Sequence, residues 1–374
     1  MIYLDHAATT PMSETALQAY TDTARHVLGN SQSVHDSGAM AAGLLEHCRR
    51  QLAQSINGHP HGVVFTSGGT ESNMLAIDTL LASKKGRHIL STQVEHASIR
   101  NYLHKLEQSG YEVTFLPVDG NGIVSLEAVK ASLRDDTVLA TIQLVNSEIG
   151  AIQPIAEIGA LLKERGVLFH TDAIQAFGKI PIDVQALNVD SLSASSHKLY
   201  GPKGTGLCYL NPDIKRILPI PGTTHEMGFR PGTVNLPAIV AFVTATQERL
   251  GEMNAEYGRV LNLRQRLLEI LGDWAMEAGT TVQALPHILG LTLPGVEGQY
   301  AMLHLSRQGI MVATGSACHV DMEAPSHTLI AIGKTAPEAK TFIRVSFGKS
   351  TTLEEVQQTG NALKQIIGGH RRYE

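Results

Sequence analysis

Lys198 is the residue around which the chemistry of this chain gathers. It follows a run of small residues, Ser191-Leu192-Ser193-Ala194-Ser195-Ser196-His197, and precedes the glycine-rich Leu199-Tyr200-Gly201-Pro202-Lys203-Gly204. A lysine at a strand end inside an α/β core is costly to bury unless it is paired or reactive. Deprotonated, its amine attacks a carbonyl and forms a Schiff base. A solvated loop lysine is the commoner fate of the residue type, and it describes Lys203 better. Asp172 ends another strand, in His170-Thr171-Asp172, and Gln175 follows within one helical turn. Ser67-Gly68-Gly69-Thr70-Glu71-Ser72-Asn73 joins a strand to a helix. Its glycines and helix N–H groups would cup an anion. An ordinary capped turn is an evenly matched reading. Cys318 stands in a small-residue run with His319, Asp321 and Glu323 after it. That is the setting of an accessible loop thiol, whose pKa the acids would raise and a protonated histidine would lower. Cys208, in an apolar strand, and Cys48, on a helix, read as inert and structural.

Together these groups suit one cofactor chemistry. A carboxylate such as Asp172 can hold a protonated pyridine nitrogen and keep the ring an electron sink, as pyridoxal phosphate requires. Gln175 can bond the ring substituents, Ser195 and His197 can add phosphate donors, and His96 can stack on the ring. Among 17 histidines, however, a packed or surface histidine is a strong alternative for His96. Other motifs fail. Gly348-Lys349-Ser350 and Gly333-Lys334-Thr335 lack the upstream glycine of a P-loop. Neither CxxC nor HExxH occurs, so no metal site is expected.

The elements that position these residues are legible as alternation. Val63–Phe65, Ile89–Leu90, Val113–Leu116, Val138–Ile142 and Val167–Phe169 read as buried strands, with helices between them such as Glu71–Ala82 and Ile155–Arg165. This is the pattern of an α/β domain with a largely parallel sheet, in which ligands gather at the carboxyl ends of strands. Past about residue 250 a charged helix, Glu252–Gly272, leads to shorter strands, Leu289–Leu293 and Phe342–Ser346, of a second α+β unit. The expected division is 14–250 for the large domain, with 1–13 and 251–374 forming the small one.

Composition agrees with this class. The chain has 374 residues, 43% hydrophobic and 17% charged, enough for a sizeable core and against disorder. A net charge of -5 gives no general grip on nucleic acid. The opening Met1-Ile2-Tyr3-Leu4-Asp5 lacks the basic and apolar stretches of a secretory signal, and no apolar run approaches a membrane span. Three widely spaced cysteines argue for a reducing compartment, so a cytoplasmic protein is expected.

Seven segments in order resemble the cysteine desulfurases, class V aminotransferase-like enzymes on the fold-type I pyridoxal phosphate scaffold. They are Tyr3–Pro11, Phe65–Asn73, Glu95-His96, Asn146–Gly150, His170–Gln175, Ser195–Gly204 and Gly315–Cys318. The Gly-Ser-Ala-Cys wording, and the chain length from it to Pro325-Ser326, resemble the branch with the longer catalytic loop. The resemblance implies an α/β fold with a mainly parallel seven-stranded sheet and a smaller α+β C-terminal domain. It implies that Lys198 holds pyridoxal 5'-phosphate as a Schiff base and later shuttles protons. Asp172 would pair with the ring nitrogen, Gln175 with the ring oxygen, and His96 would stack and help move protons. Gly69, Thr70, Ser195 and His197 would bind the phosphate, and Thr233 would reach the phosphate of the other subunit of a homodimer. Arg344 would bind the substrate carboxylate, a task for a bidentate donor. Cys318 would take sulfur from L-cysteine as a persulfide, leaving alanine.

The acceptor would be an iron–sulfur scaffold protein, a tRNA-thiolating enzyme or a thiamine sulfur carrier. Two departures stand out. Ser147 replaces an asparagine that in the family contacts the ring oxygen and substrate, so Ser147 takes that task less well or Asn146 compensates. Thr223-Thr224 stand where glycines are common. The alternatives are a selenocysteine lyase, an aminotransferase, which would not need Cys318, and a sulfur-relay protein without catalysis, against which the intact Asp172, His96, Lys198 and Cys318 argue.

Overall fold

Strand and helix alternate strictly between residues 63 and 172. The computed structural model of the chain describes residues 1–215, 222–279, 283–315 and 325–370. β1 (Ile2–Tyr3) is followed by α1 (Glu14–His26) and α2 (Asp36–Gln54). Then come β2 (Val63–Thr66), α3 (Gly69–Ser83), β3 (His88–Thr92), α4 (Ala97–Gln108), β4 (Glu112–Leu116), α5 (Leu126–Ser132), β5 (Thr137–Thr141), α6 (Ile155–Glu164), β6 (Leu168–Asp172), β7 (Ser191–Ser195) and β8 (Gly206–Leu210). The long α7 (Leu236–Leu271) leads to β9 (Met276–Glu277), β10 (Ile288–Thr292), α8 (Gly298–Arg307), β11 (Ile310–Met311), α9 (His327–Ala331), α10 (Ala336–Lys340), β12 (Phe342–Ser346) and α11 (Leu353–His370).

Seven strands form one sheet in the order β2-β8-β7-β6-β5-β3-β4. β8 alone runs against its neighbours β2 and β7, and the other pairs are parallel. This is the α/β sheet expected from the apolar runs. Every residue of β3, β5, β6, β7 and β8 is buried, because helices cover the sheet on both faces. The parallel strands therefore deliver their carboxyl ends to one edge.

A second apolar cluster lies around the antiparallel β12-β10-β9 and the parallel pair β1-β11. Ile2 and Leu4 pack there with Val260, Leu263 and Leu267 of α7 and Leu363 of α11. The first half of α7, including Ile239, Phe242 and Ala245, packs instead on the large-sheet cluster. α7 therefore starts at Leu236, well before the Glu252 expected from its charged amphipathic stretch. Asn235 caps it and Pro237 sits in its first turn, where a missing N–H costs nothing. The first half is apolar on several sides, so it carries no one-sided stripe. Among the described residues, no helix is long and apolar enough to cross a membrane.

A buried ion pair braces β2. Arg49 on α2 donates two parallel bonds to Glu226, each 2.9 Å, and a third to the Val63 carbonyl at 2.5 Å. Glu226 also accepts the Phe65 N–H at 2.7 Å. The side chains are 4% and 0% exposed, so the Glu226 charge relies on Arg49, which also pairs with the exposed Glu46 at 3.0 Å.

Candidate active site

The carboxyl ends of β2, β3, β5, β6 and β7 open onto one cavity of about 380 Å³. Gly69 and Thr70 follow β2, Glu95 and His96 follow β3, Ser147 follows β5, Asp172 ends β6, and Ser195, His197 and Lys198 end or follow β7. The opposite wall comes from outside the large sheet: Asp5, Thr314, Gly315, His327 and Arg344.

β7 ends at Ser195, and a single 3-10 turn, Ser196–Lys198, lifts Lys198 off the sheet. Lys198 Nζ donates to the carbonyls of Ala7 and Ala8, at 2.6 and 2.8 Å. The N-terminal segment is strapped to this turn, since the Thr10 N–H donates to the His197 carbonyl at 2.8 Å. Burial, then the nearby charge of Lys198, brings the His197 imidazole down to about 4, so it is neutral near pH 7.

Asp172 is 5% exposed. Its carboxylate accepts the Asn73 side-chain amide and the Ile174 N–H, both at 2.9 Å. Asn73 in turn faces His170 Nε2 through its Oδ1 at 3.1 Å. Burial takes His170 down to about 3, so this imidazole is neutral. The chain His170–Asn73–Asp172 fixes the orientation of the carboxylate.

His96 caps α4: its Nδ1 accepts the Ser98 N–H at 3.1 Å. An accepting Nδ1 puts the proton of the neutral ring on Nε2. Burial, reinforced by the Lys198 charge and opposed by Asp172, holds His96 below its ordinary value. Beside it, Glu95 is fully buried. Its Oε1 accepts from Thr92 Oγ1 at 2.7 Å and from the Gln143 N–H at 3.0 Å. Burial pushes this carboxyl up to about 8, with the Asp172 charge adding to the rise.

At the other end, Gly68 adopts φ 152°, a conformation that L side chains rarely adopt, and α3 opens without a side-chain cap. A β-carbon on Gly69 would stand 2.1 Å from Ile174 Cδ1, so the helix start packs closely on the segment after β6, and a larger residue there would have to displace the Ile174 side chain. Ser195 Oγ is buried there and has no hydrogen-bond partner among the described residues. Uncapped helix N–H groups, an unpartnered hydroxyl and His197 form a donor set suited to an anion. Together with Asp172, Gln175 and an amine at Lys198, they fit pyridoxal phosphate.

Arg344, on β12, donates through Nη2 to Asp5 at 2.8 Å and through Nη1 to the Ser147 carbonyl at 2.9 Å. Its buried Nε has no partner among the described residues. Ser147 lines the cavity, but Asn146 does not. The Asn146 amide is occupied by the Val94 carbonyl and by the N–H groups of Glu148 and Ile149, so it builds the turn that presents Ser147. Thr233 is exposed and lies off the cavity. Thr223 and Thr224 bond to Gly228 and Gln32, away from it.

Cys318 lies outside the described residues. Gly315, three positions earlier, lines the cavity, as does His327 on the far side of that stretch. The two stems meet at Glu148, which accepts Ser326 Oγ at 2.5 Å and Thr328 Oγ1 at 2.8 Å; a β-carbon on Gly315 would stand 2.6 Å from Ser326 Cβ. Cys48 is 2% exposed, and burial pushes its thiol up to about 12, as expected for a structural cysteine. Cys208 is fully buried in β8.

Sequence reasoning gave no task to Asn73, Glu148, Asp5 or His327. The first three stood inside quoted motifs. For His327 the only signal was its place just beyond Pro325-Ser326.

Residues 2–359 match the family model "Aminotransferase class-V". A NifS protein of Bacillus subtilis (strain 168) is 45% identical over 365 residues, covering 96% of this chain and 92% of its own length. The cysteine desulfurase IscS of Dictyoglomus turgidum is 38% identical, covering 98% of this chain and 94% of its own length. Among solved structures, a NifS-like protein superposes with a TM-score of 0.92 at 31% identity, covering 98% of this chain and 99% of its own. SspA in complex with cysteine has a TM-score of 0.81 at 30% identity, covering 93% of this chain and 99% of its own. On matches of this extent, the chain belongs to the class-V aminotransferase family, among its NifS and IscS cysteine desulfurases.

Proposed function

We propose that this protein is a pyridoxal 5'-phosphate-dependent L-cysteine desulfurase that yields L-alanine and a persulfide on Cys318. One observation carries the reading. A lysine amine, a buried carboxylate and a guanidinium face the same cavity, and its rim includes a residue three positions from Cys318. Three residues of chain reach about 11 Å at most. Class-V aminotransferases use pyridoxal phosphate, and the solved relative SspA in complex with cysteine supports cysteine as the substrate.

When bound, the coenzyme supplies an aldehyde for attachment and a ring that accepts electrons from bonds broken on an amino acid. The chain's residues do the rest. Lys198 Nζ, held by the Ala7 and Ala8 carbonyls, is the attachment amine and later carries protons. Asp172, fixed by Asn73, would hold the proton of the ring nitrogen. The start of α3 at Gly69 and Thr70, with Ser195 and His197, would bind the phosphate. His96 would stand against the ring and move protons at its Nε2. Gln175 and Ser147 contact ring and substrate, and Arg344, aimed by Asp5, binds the substrate carboxylate. The Cys318 thiolate bonds to the substrate sulfur as its Cβ–S bond breaks. A proton replaces sulfur on carbon, so cysteine and a thiol become alanine and a persulfide.

The same reading includes a cytoplasmic homodimer in which Thr233 serves the partner's phosphate, and a sulfur-acceptor protein of iron–sulfur cluster assembly or tRNA thiolation. It also divides the chain into 14–250 and 1–13 with 251–374. The pairing of β1 with β11 and the two-sided packing of α7 support that division.

The test is direct. Borohydride reduction of the coenzyme-loaded protein should fix the coenzyme on Lys198, read by mass spectrometry; an adduct elsewhere overturns the assignment. Cys318→Ala should keep the coenzyme absorbance and lose sulfide release from cysteine. An unchanged rate would favour an aminotransferase.

A further inference from the structure

Lys179 lies one turn beyond Gln175 and is 8% exposed. Among the described residues it forms no ion pair. The charges acting on it are those of Lys198, Arg249 and Arg344, all positive, while the neighbouring His6 and His287 are held below their ordinary values, chiefly by burial. Burial first, then these cations, brings Lys179 down to about 7. A buried ammonium without a counter-ion is among the most expensive placements for a side chain. Nothing in the mechanism above uses it.

Its contacts show what it does. Lys179 Nζ donates to the Gln175 backbone carbonyl at 3.1 Å and to Gln175 Oε1 at 3.4 Å. The other end of that amide, Nε2, donates to the Ala7 carbonyl at 3.0 Å, the same oxygen that accepts Lys198 Nζ at 2.6 Å. Turning the amide over would set its NH₂ against an ammonium and its oxygen against a carbonyl. The oxygen–carbonyl contact would be repulsive at any pH, and the contact with Lys179 wherever that side chain carries its proton.

We infer that Lys179 is a positioning residue for Gln175: it fixes the amide so that an N–H donor, not an oxygen, stands beside Lys198 on the cavity wall. The ring oxygen of pyridoxal phosphate is an acceptor and needs a donor there. The inference rests on the coenzyme reading above, and it reaches past it to a residue outside that cavity.

Coenzyme titration of the apo-protein tests it, with the dissociation constant and the position of the visible absorbance band as readouts. Lys179→Met replaces the ammonium with an apolar chain of similar length, and Lys179→Leu is the second variant should the first fail to fold. The neutral variant should weaken coenzyme binding about tenfold and move the band in the same direction as Gln175→Ala does. In a Gln175→Ala background the same change should add less than about twofold, because the group it acts through is gone. An unchanged constant and band in the Lys179 variant would overturn the inference. So would an equal loss in both backgrounds, which would mark a merely structural lysine. A wild-type protein that takes up no coenzyme would instead overturn the coenzyme reading, and this inference with it.

Discussion

Replacing Glu95 with glutamine removes a titratable proton from the wall of the cavity while preserving its shape. Oε1 is engaged by Thr92 and the Gln143 N–H, and Oε2 has no partner among the described residues. A glutamine can keep its oxygen in the first place and put its NH₂ in the second. In the folded protein the Glu95 pKa is about 8, against 4.5 for the free side chain. Between those values the native state holds a proton that the unfolded chain has released. The stability gained from that proton is fully present below about pH 4.5 and is lost as pH rises to about 8. Over the whole window this amounts to on the order of 5 kcal/mol, at about 1.36 kcal/mol per unit. His170 and His197, held neutral, slope the other way below about pH 6.5, and Lys179 does so above about 7. Both effects cancel when variant and wild type are compared at each pH. Urea unfolding of the apo-protein should show Glu95→Gln gaining about 2–3 kcal/mol on wild type between pH 6 and 8. A difference constant with pH would refute the reasoning. The result bears on function, because a neutral Glu95 adds no second carboxylate charge beside Asp172.

Three other outcomes are expected. Lys198→Ala should abolish turnover while the protein stays folded, measured as alanine formation; full activity would remove the lysine from the mechanism. Arg344→Gln should raise the KM for cysteine by about 10- to 100-fold, the worth of a charge-assisted bond of about 1.5–3 kcal/mol, with coenzyme affinity little changed. Arg49→Met should lower unfolding stability by about 3–5 kcal/mol, because it leaves the Glu226 carboxylate buried without its partner. Adding Glu226→Gln should recover part of that loss.

The sheet and the floor of the cavity were legible in the sequence for one reason. Each buried strand ends where apolar residues give way to residues that do chemistry. Phe65 leads to Gly68 and Gly69, Phe169 to Asp172, and Ala194 to Lys198. Period and residue type are local properties, so one dimension was enough. What stayed hidden is defined by partners distant in sequence. β1, β9 and β11 are two residues each and exist only as pairings. Asp5 matters because β12 brings Arg344 to it, and Asn73 because β6 places Asp172 beside α3. Asn146 shows the converse. The family resemblance implied a substrate contact for it, but its amide is taken up by the turn it sits in. Its neighbour Ser147, read as a departure from the family pattern, is the one facing the cavity.

The first ten residues tie the molecule together: Ile2 pairs with Ile310, the Leu4 carbonyl accepts the Ser346 N–H, and the Ala7 and Ala8 carbonyls hold Lys198. The first two of these pairings join positions more than 300 residues apart, so they close after the local strand–helix units of the large sheet can form. Until they close, the amine of Lys198 lacks its oxygen cradle, and the catalytic centre is completed by the most non-local step of folding.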